Sequence, residues 1–152
     1  MNQMLDWLLW NPLAVGTKAP DFTASDDEGR QVRLSDLKGK NVVLVFYPGD
    51  DTTICRAQLC EFRDRWAEAS QSNVTVFGVN PAGSKSHRKF SEKSRLPFPL
   101  LVDKGRKIAG AYAANGLIVK RTVYLIGPDG TIRYAKRGKP PVEEVLEAAC
   151  PS

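Results

Sequence analysis

Val42-Val43-Leu44-Val45-Phe46-Tyr47-Pro48-Gly49-Asp50-Asp51-Thr52-Thr53-Ile54-Cys55-Arg56-Ala57-Gln58-Leu59-Cys60 is the stretch on which the fold turns. Its first five residues are an uninterrupted apolar run, the pattern of a strand buried on both faces. The residues from Arg56 to Ala69 favour a helix. A strand that feeds a helix in this way places Cys55 in the first helical turn. Backbone N–H groups there lack partners, and the positive helix end favours thiolate over thiol. Thr52, three residues earlier, adds a hydroxyl that can aim at the sulfur, meet an incoming oxygen, or simply cap the helix. Cys60, five residues on, supplies a second thiol able to capture whatever Cys55 becomes. The combination points to redox chemistry rather than a structural bridge.

Outward from this stretch the pattern alternates. Gln31 to Leu34 alternates as a strand, after the turn signal Asp26-Asp27-Glu28-Gly29. Val74 to Val79 reads as a second buried strand, and Ser84 to Lys93 as a helix with Ser84 as its N-cap. A proline-bounded loop with a short strand spans 96–103, and Gly105 to Tyr112 reads as helical. Arg121 to Ile126 and Thr131 to Tyr134 flank Gly127-Pro128-Asp129-Gly130, a strong hairpin signal. Pro141 opens a closing helix through Ala149. This is the thioredoxin-like order: one α/β domain over 15–152, with a central mixed sheet flanked by helices. In such a sheet Cys55 lies beyond the carboxyl end of the first buried strand, where open α/β folds place their sites.

Composition narrows the function classes. The chain has 152 residues, 42% hydrophobic and 26% charged, which suits a single domain with a real core. No apolar run approaches the roughly 20 residues that span a bilayer, so a membrane role is not expected. The net charge is +5, but Lys and Arg are scattered and no nucleic-acid motif accompanies them, so we read a solvated basic face and expect no nucleic-acid partner. Three cysteines are too few for a disulfide scaffold and odd in number, which favours a reducing, cytoplasmic setting. Residues 1–14 read as an N-terminal extension. Within it, Met4 to Trp10 is apolar and aromatic, ended by Asn11-Pro12, and has neither the basic start of a secretory signal nor the arginines of a transit peptide. Two readings of it stay open: an arm docked on its own domain, or a contact for a partner.

The chain resembles the peroxiredoxins, specifically the bacterioferritin comigratory protein and peroxiredoxin Q group. The resemblance runs from Val15-Gly16-Thr17-Lys18-Ala19-Pro20-Asp21-Phe22 to the closing helix. Pro48, Thr52 and Cys55 match the family's Pro-three residues-Thr-two residues-Cys signature, and Cys60 matches the group's resolving position. Glu61-Phe62-Arg63-Asp64, His87-Arg88-Lys89-Phe90 and 96–101 are similar to further segments, and Lys120-Arg121-Thr122 to the strand that carries the active-site arginine. The resemblance implies a thiol-dependent peroxidase that acts on hydrogen peroxide and organic hydroperoxides with no metal or organic cofactor. Cys55 is then the nucleophile and Arg121 holds the peroxide and the thiolate. Thr52 hydrogen-bonds one or both, and Pro48 walls the pocket without offering a competing N–H. Cys55 becomes a sulfenic acid, Cys60 resolves it to a disulfide, and thioredoxin or a similar dithiol reduces the bridge. The group is often monomeric, and the apolar arm leaves a dimer as the alternative.

Departures mark this chain. Thr53-Ile54 stand where the family usually has Pro-Gly, which changes the shape and polarity of the pocket mouth. Arg56 replaces a usual Thr and is expected to add positive charge near the thiolate, and Gln58 replaces a usual Glu. The spacing of the cysteines has its own consequence. In an intact helix five residues rise roughly 7.5 Å and turn roughly 140°. Their Cα atoms then lie about 8–9 Å apart, beyond the roughly 7 Å limit for a disulfide. Pairing therefore requires the first turns of the helix to unwind.

Rival readings fit less of the sequence. A thioredoxin-type oxidoreductase spaces its cysteines by two residues, not four. A copper carrier would need a histidine in a matching context, and a basic binding module leaves Thr52 and Arg121 without a role. His87, the single histidine, is read as a helix-surface residue from its flanking Lys and Arg, and Cys150 as a buried or incidental thiol.

Overall fold

The computed structural model describes residues 11–149. The expectations for Met4 to Trp10 and for Cys150 lie outside these residues. Seven strands form one sheet: β1 (Thr23–Asp26), β2 (Gln31–Arg33), β3 (Asn41–Phe46), β4 (Val74–Asn80), β5 (Leu100–Val102), β6 (Thr122–Ile126) and β7 (Ile132–Arg137). Their order is β2-β1-β5-β4-β3-β6-β7, with β3, β4 and β5 parallel and every other pair antiparallel. The helices are α1 (Thr53–Asp64), α2 (Trp66–Gln71), α3 (Ser84–Ser94), α4 (Lys107–Ala111) and α5 (Val142–Glu147). The expected mixed sheet flanked by helices is the observed architecture.

The apolar run makes β3 the centre of the sheet, and all six of its residues are buried. Alternation sends Val42, Leu44 and Phe46 to one face and Val43, Val45 and Tyr47 to the other. The parallel steps β3 to β4 and β4 to β5 move in the same direction across the sheet. Right-handed crossovers then put α1, α2 and α3 on the same face. Leu59, Phe62, Ala69 and Phe90 from these helices accordingly pack with Val43, Val45, Tyr47 and Cys55. On the opposite face, Ile108, Ala109 and Tyr112 pack on Leu44, Phe46 and Tyr124. Among the described residues no helix is long and apolar enough to cross a membrane.

Several boundaries differ from the sequence reading: β7 runs to Arg137 rather than Tyr134, α4 covers only Lys107–Ala111, and α5 is Val142–Glu147 with Pro141 as its N-cap rather than its first residue. The helix after β3 starts at Thr53 rather than Arg56, because the Thr52 side chain accepts the Cys55 N–H as its cap. It also ends at Asp64: Arg65 leaves helical geometry (φ −109°, ψ 23°), and its guanidinium is held by Glu68 and Glu143 before α2 begins. At α3 the N-cap is Gly83, and Ser84 is already helical.

Gly78 on β4 lies under Leu100 and Tyr47. A Cβ there would stand 2.6 Å from Leu100 Cδ2 and 3.1 Å from Tyr47 Cε1. Gly78→Ala is therefore expected to destabilise the fold by about 1–3 kcal/mol, the usual cost of overpacking. The readout is a lower urea midpoint at unchanged slope. An unshifted midpoint would show that the core yields there at no cost.

Candidate active site

The Thr52 cap decides where Cys55 sits. Thr52 Oγ1 accepts the Cys55 N–H at 3.3 Å, and the Thr52 carbonyl accepts the Arg56 N–H at 2.8 Å. Cys55 is the third residue of α1, its side chain turned down onto the sheet and fully buried. The Thr52 oxygen faces the amide rather than standing idle, and its hydroxyl hydrogen is left to donate. Pro48 follows Tyr47 at the end of β3 and is half-buried at the start of the loop.

Arg121 reaches the sulfur from the neighbouring strand. Thr122 pairs with Phe46, so the residue before it comes level with the carboxyl end of β3. Arg121 Nη2 donates to Cys55 Sγ at 3.1 Å, and Nη1 donates to Gln58 Oε1 at 2.7 Å. A guanidinium can only donate, so the amide oxygen of Gln58 must face it and the amide nitrogen must point away. That nitrogen donates to the Gly138 carbonyl at 3.3 Å, while the Gly138 N–H donates to the Arg121 carbonyl at 2.8 Å. Arg121, Gln58 and Gly138 thus close a frame around one side of the sulfur. Gly138 holds its place in that frame at φ +93°, a conformation suited to glycine.

The acceptor on Nη1 is a neutral amide, so among the described residues no bonded carboxylate offsets the charge that Arg121 turns toward the sulfur. Gln58 was legible in the sequence only as a departure; its spacing from Cys55 by three residues on a helix puts both on one face, and that is the signal that marks it. Arg56 follows Cys55 directly on α1, and its guanidinium pairs with Asp51 at 3.4 Å. Thr53 is exposed and Ile54 is 60% exposed, giving the mouth an apolar edge beside the buried sulfur.

Cys60 is half-buried on the same unbroken helix, and both cysteines are free. The structure brings together Thr52, Cys55 and Arg121 by direct hydrogen bonds, with Pro48 at the start of their loop. Cys60 stays apart from them, five residues along α1.

Comparisons with known proteins give the family. Residues 15–135 match the model of the AhpC/TSA family. The chain belongs to that family. Within it, the relatives are peroxiredoxins of the Bcp and peroxiredoxin Q group. A putative peroxiredoxin bcp of Coxiella burnetii is 41% identical over 132 residues, covering 79% of this chain and 85% of that protein. Peroxiredoxin Bcp of Bacillus subtilis is 36% identical over 145 residues, covering 90% and 92%. Among solved structures, peroxidoxin BcpB from Mycobacterium tuberculosis superposes with a TM-score of 0.84 at 28% identity, covering 90% of this chain and 96% of that one. As a peroxiredoxin the chain is a thiol-dependent peroxidase, and recycling by thioredoxin through a disulfide is typical of its family.

His87 was missed as a buried residue. It is fully buried rather than on the helix surface. On α3 the buried residues are His87, Phe90 and Ser94, at the spacing of one helix face. The flanking Lys and Arg occupy the other faces, which is why charge pattern alone misplaced it.

Proposed function

We propose that Cys55 is the peroxidatic nucleophile, that Arg121, Thr52 and Pro48 form its pocket, and that Cys60 resolves it. The observation that carries this reading is the 3.1 Å contact of Arg121 Nη2 with Cys55 Sγ. The thiolate attacks one oxygen of a hydroperoxide; an S–O bond forms, the O–O bond breaks, and the second oxygen leaves as hydroxide or alkoxide, which takes a proton from solvent to give water or alcohol. The negative charge moves from sulfur to the leaving oxygen. The Arg121 guanidinium, bonded to the sulfur, can follow the charge onto the leaving oxygen, and the Thr52 hydroxyl hydrogen is available to donate from the same turn of chain.

Cys55 is then a sulfenic acid. The Cys60 thiol attacks its sulfur, an S–S bond forms and water leaves. An external dithiol, thioredoxin by family habit, returns both thiols through a mixed disulfide. The substrates are hydrogen peroxide and organic hydroperoxides, and the catalytic unit is residues 15–152, a cytoplasmic monomer to which residues 1–14 form an extension. Sedimentation of the full chain reads the monomer directly.

The test is peroxide-dependent NADPH oxidation in the presence of thioredoxin and its reductase. Stopping the reaction before reduction should leave a Cys55–Cys60 disulfide in the peptide map. No NADPH oxidation with several dithiol reductants would refute the peroxidase cycle, and a bridge to any other thiol would refute the role of Cys60.

A further inference from the structure

The loop that delivers Thr52 and Cys55 is held from behind by a buried ionic cluster that the reaction scheme does not use. Asp50, in the middle of the loop, has its side chain 6% exposed. Its Oδ1 accepts the Tyr47 hydroxyl at 2.7 Å. Its Oδ2 accepts the Ser86 hydroxyl and faces His87 Nδ1, each at 2.7 Å. On the other side of the ring, His87 Nε2 faces two backbone carbonyls, Leu101 at 2.9 Å and Asn80 at 3.2 Å. Carbonyls only accept, so Nε2 carries a hydrogen; a carboxylate that already takes two hydroxyls calls for a hydrogen on Nδ1 as well. The arrangement of donors is that of a doubly protonated ring against an ionised Asp50.

The same cluster anchors the strand ends. Asn80 Nδ2 donates to the Tyr47 carbonyl at 2.8 Å. Beyond Asp50 the backbone turns through the left-handed region, with Asp51 at φ +57°, a conformation that is uncommon outside glycine, asparagine and aspartate. Such a residue persists where its surroundings over-determine it. Here the clamp on Asp50 lies on one side of it and the Thr52 cap on the other, while its own carboxylate meets Lys93 at 2.9 Å.

We propose that His87 is a positioning residue of the peroxidase reaction: as an imidazolium it clamps Asp50, and through Asp50 the loop that aims Thr52 and presents Cys55. This rests on the peroxidase reading above. The groups that meet the clamp are Asp50 and Tyr47 from the loop and β3, Ser86 from α3 itself, and the Asn80 and Leu101 carbonyls from β4 and β5. Burial works against charge on His87, but the hydrogen bond and charge of Asp50, with the two carbonyls, hold the ring above its ordinary value. Burial also opposes the Asp50 charge, and its hydrogen bonds from His87, Ser86 and Tyr47 outweigh it, so that carboxyl lies below its ordinary value. A raised histidine contributes at low pH and its contribution is lost as pH rises through its folded value. A lowered aspartate contributes above its unfolded value and is lost as pH falls through its folded one. The clamp is intact between these limits and fails on the alkaline side when His87 loses its proton.

Because His87 is the chain's single histidine, the imidazole nitrogen spectrum of the full, untagged chain reports on this ring alone. The ring should be doubly protonated at neutral pH. The rate of Cys55 oxidation by hydrogen peroxide should fall about tenfold as the ring titrates, the scale of a modest misplacement of reacting groups. In Asp50→Asn the ring titration and the loss of rate should move together to lower pH. His87→Gln should be about tenfold slow at neutral pH and lack the alkaline loss. A neutral ring at neutral pH, or an active enzyme whose rate ignores the ring's titration, overturns the clamp even if His87→Gln fails to fold. A chain that consumes no peroxide at any pH refutes instead the peroxidase reading on which the clamp rests.

Discussion

Arg121→Met is expected to slow the oxidation of Cys55 by about 10²–10³-fold, the loss measured when a preorganised donor is removed from a site of developing negative charge. The substitution keeps the length of the side chain and removes both donors. The sulfur loses its 3.1 Å contact, and the leaving oxygen loses the charge that would meet it. Gln58 Oε1 is left buried without its partner, a cost to stability of about 1–3 kcal/mol. Thermal denaturation in parallel separates that cost from the loss of rate. Arg121→Lys should fall between the two, since an ammonium is a point charge and cannot bond the amide and the sulfur as the planar fork does. Cys55→Ser sets the floor, with no turnover. The measurement is a single-turnover rate under excess hydrogen peroxide; a methionine variant as fast as the wild-type chain would remove Arg121 from the reaction.

The second large effect is on the helix itself. Cys55 and Cys60 lie on the unbroken α1, so the bridge forms only if that helix gives way. Its two ends suit this. At the start a single side-chain cap and the Arg56 to Thr52 bond hold the first turn. At Arg65 the backbone breaks before α2, so unwinding need not spread into the helix beyond. Gln58 lies between the cysteines, so its bond to Arg121 has to break as the turns open, and the peroxide site is dismantled with them. In the oxidised protein the amides of residues 57–60 should exchange with solvent as unstructured ones do, and protection should return when a dithiol reduces the bridge. A crosslinked Cys55–Cys60 protein with unchanged amide exchange would sink this expectation.

The cluster behind the loop shows where pattern reading stops. His87 sits between Ser86 and Arg88 in a run rich in cations, and local charge assigns it to the surface. Only the packing of α3 on β4 and β5 puts its ring against two carbonyls and Asp50. Gln58 looked like a loss of charge at a familiar position, and the structure makes it the neutral hand that orients Arg121. Arg56 was read for its charge alone, and the structure adds its pairing with Asp51. In each case the deciding partner is far off in the chain or on a loop whose course the sequence does not spell out.

What the amino-acid sequence determined by itself was local and periodic. The apolar run from Val42 to Phe46 required a buried central strand, the alternation of strands and helices required the layered sheet, and Thr52 and Cys55 in one turn required a capped helix start. These follow from hydrogen-bond and burial rules that act over a few residues. The resemblance implied that Arg121 meets the sulfur, but only tertiary structure decided how it is held there and what stands behind the loop. Arg121 meets Cys55 across 66 residues, Gln58 meets Gly138 across 80, and Asp50 meets His87 across 37. Those contacts depend on strand register and crossover direction, which arise from the packing of the whole sheet and leave no mark in any short stretch of chain.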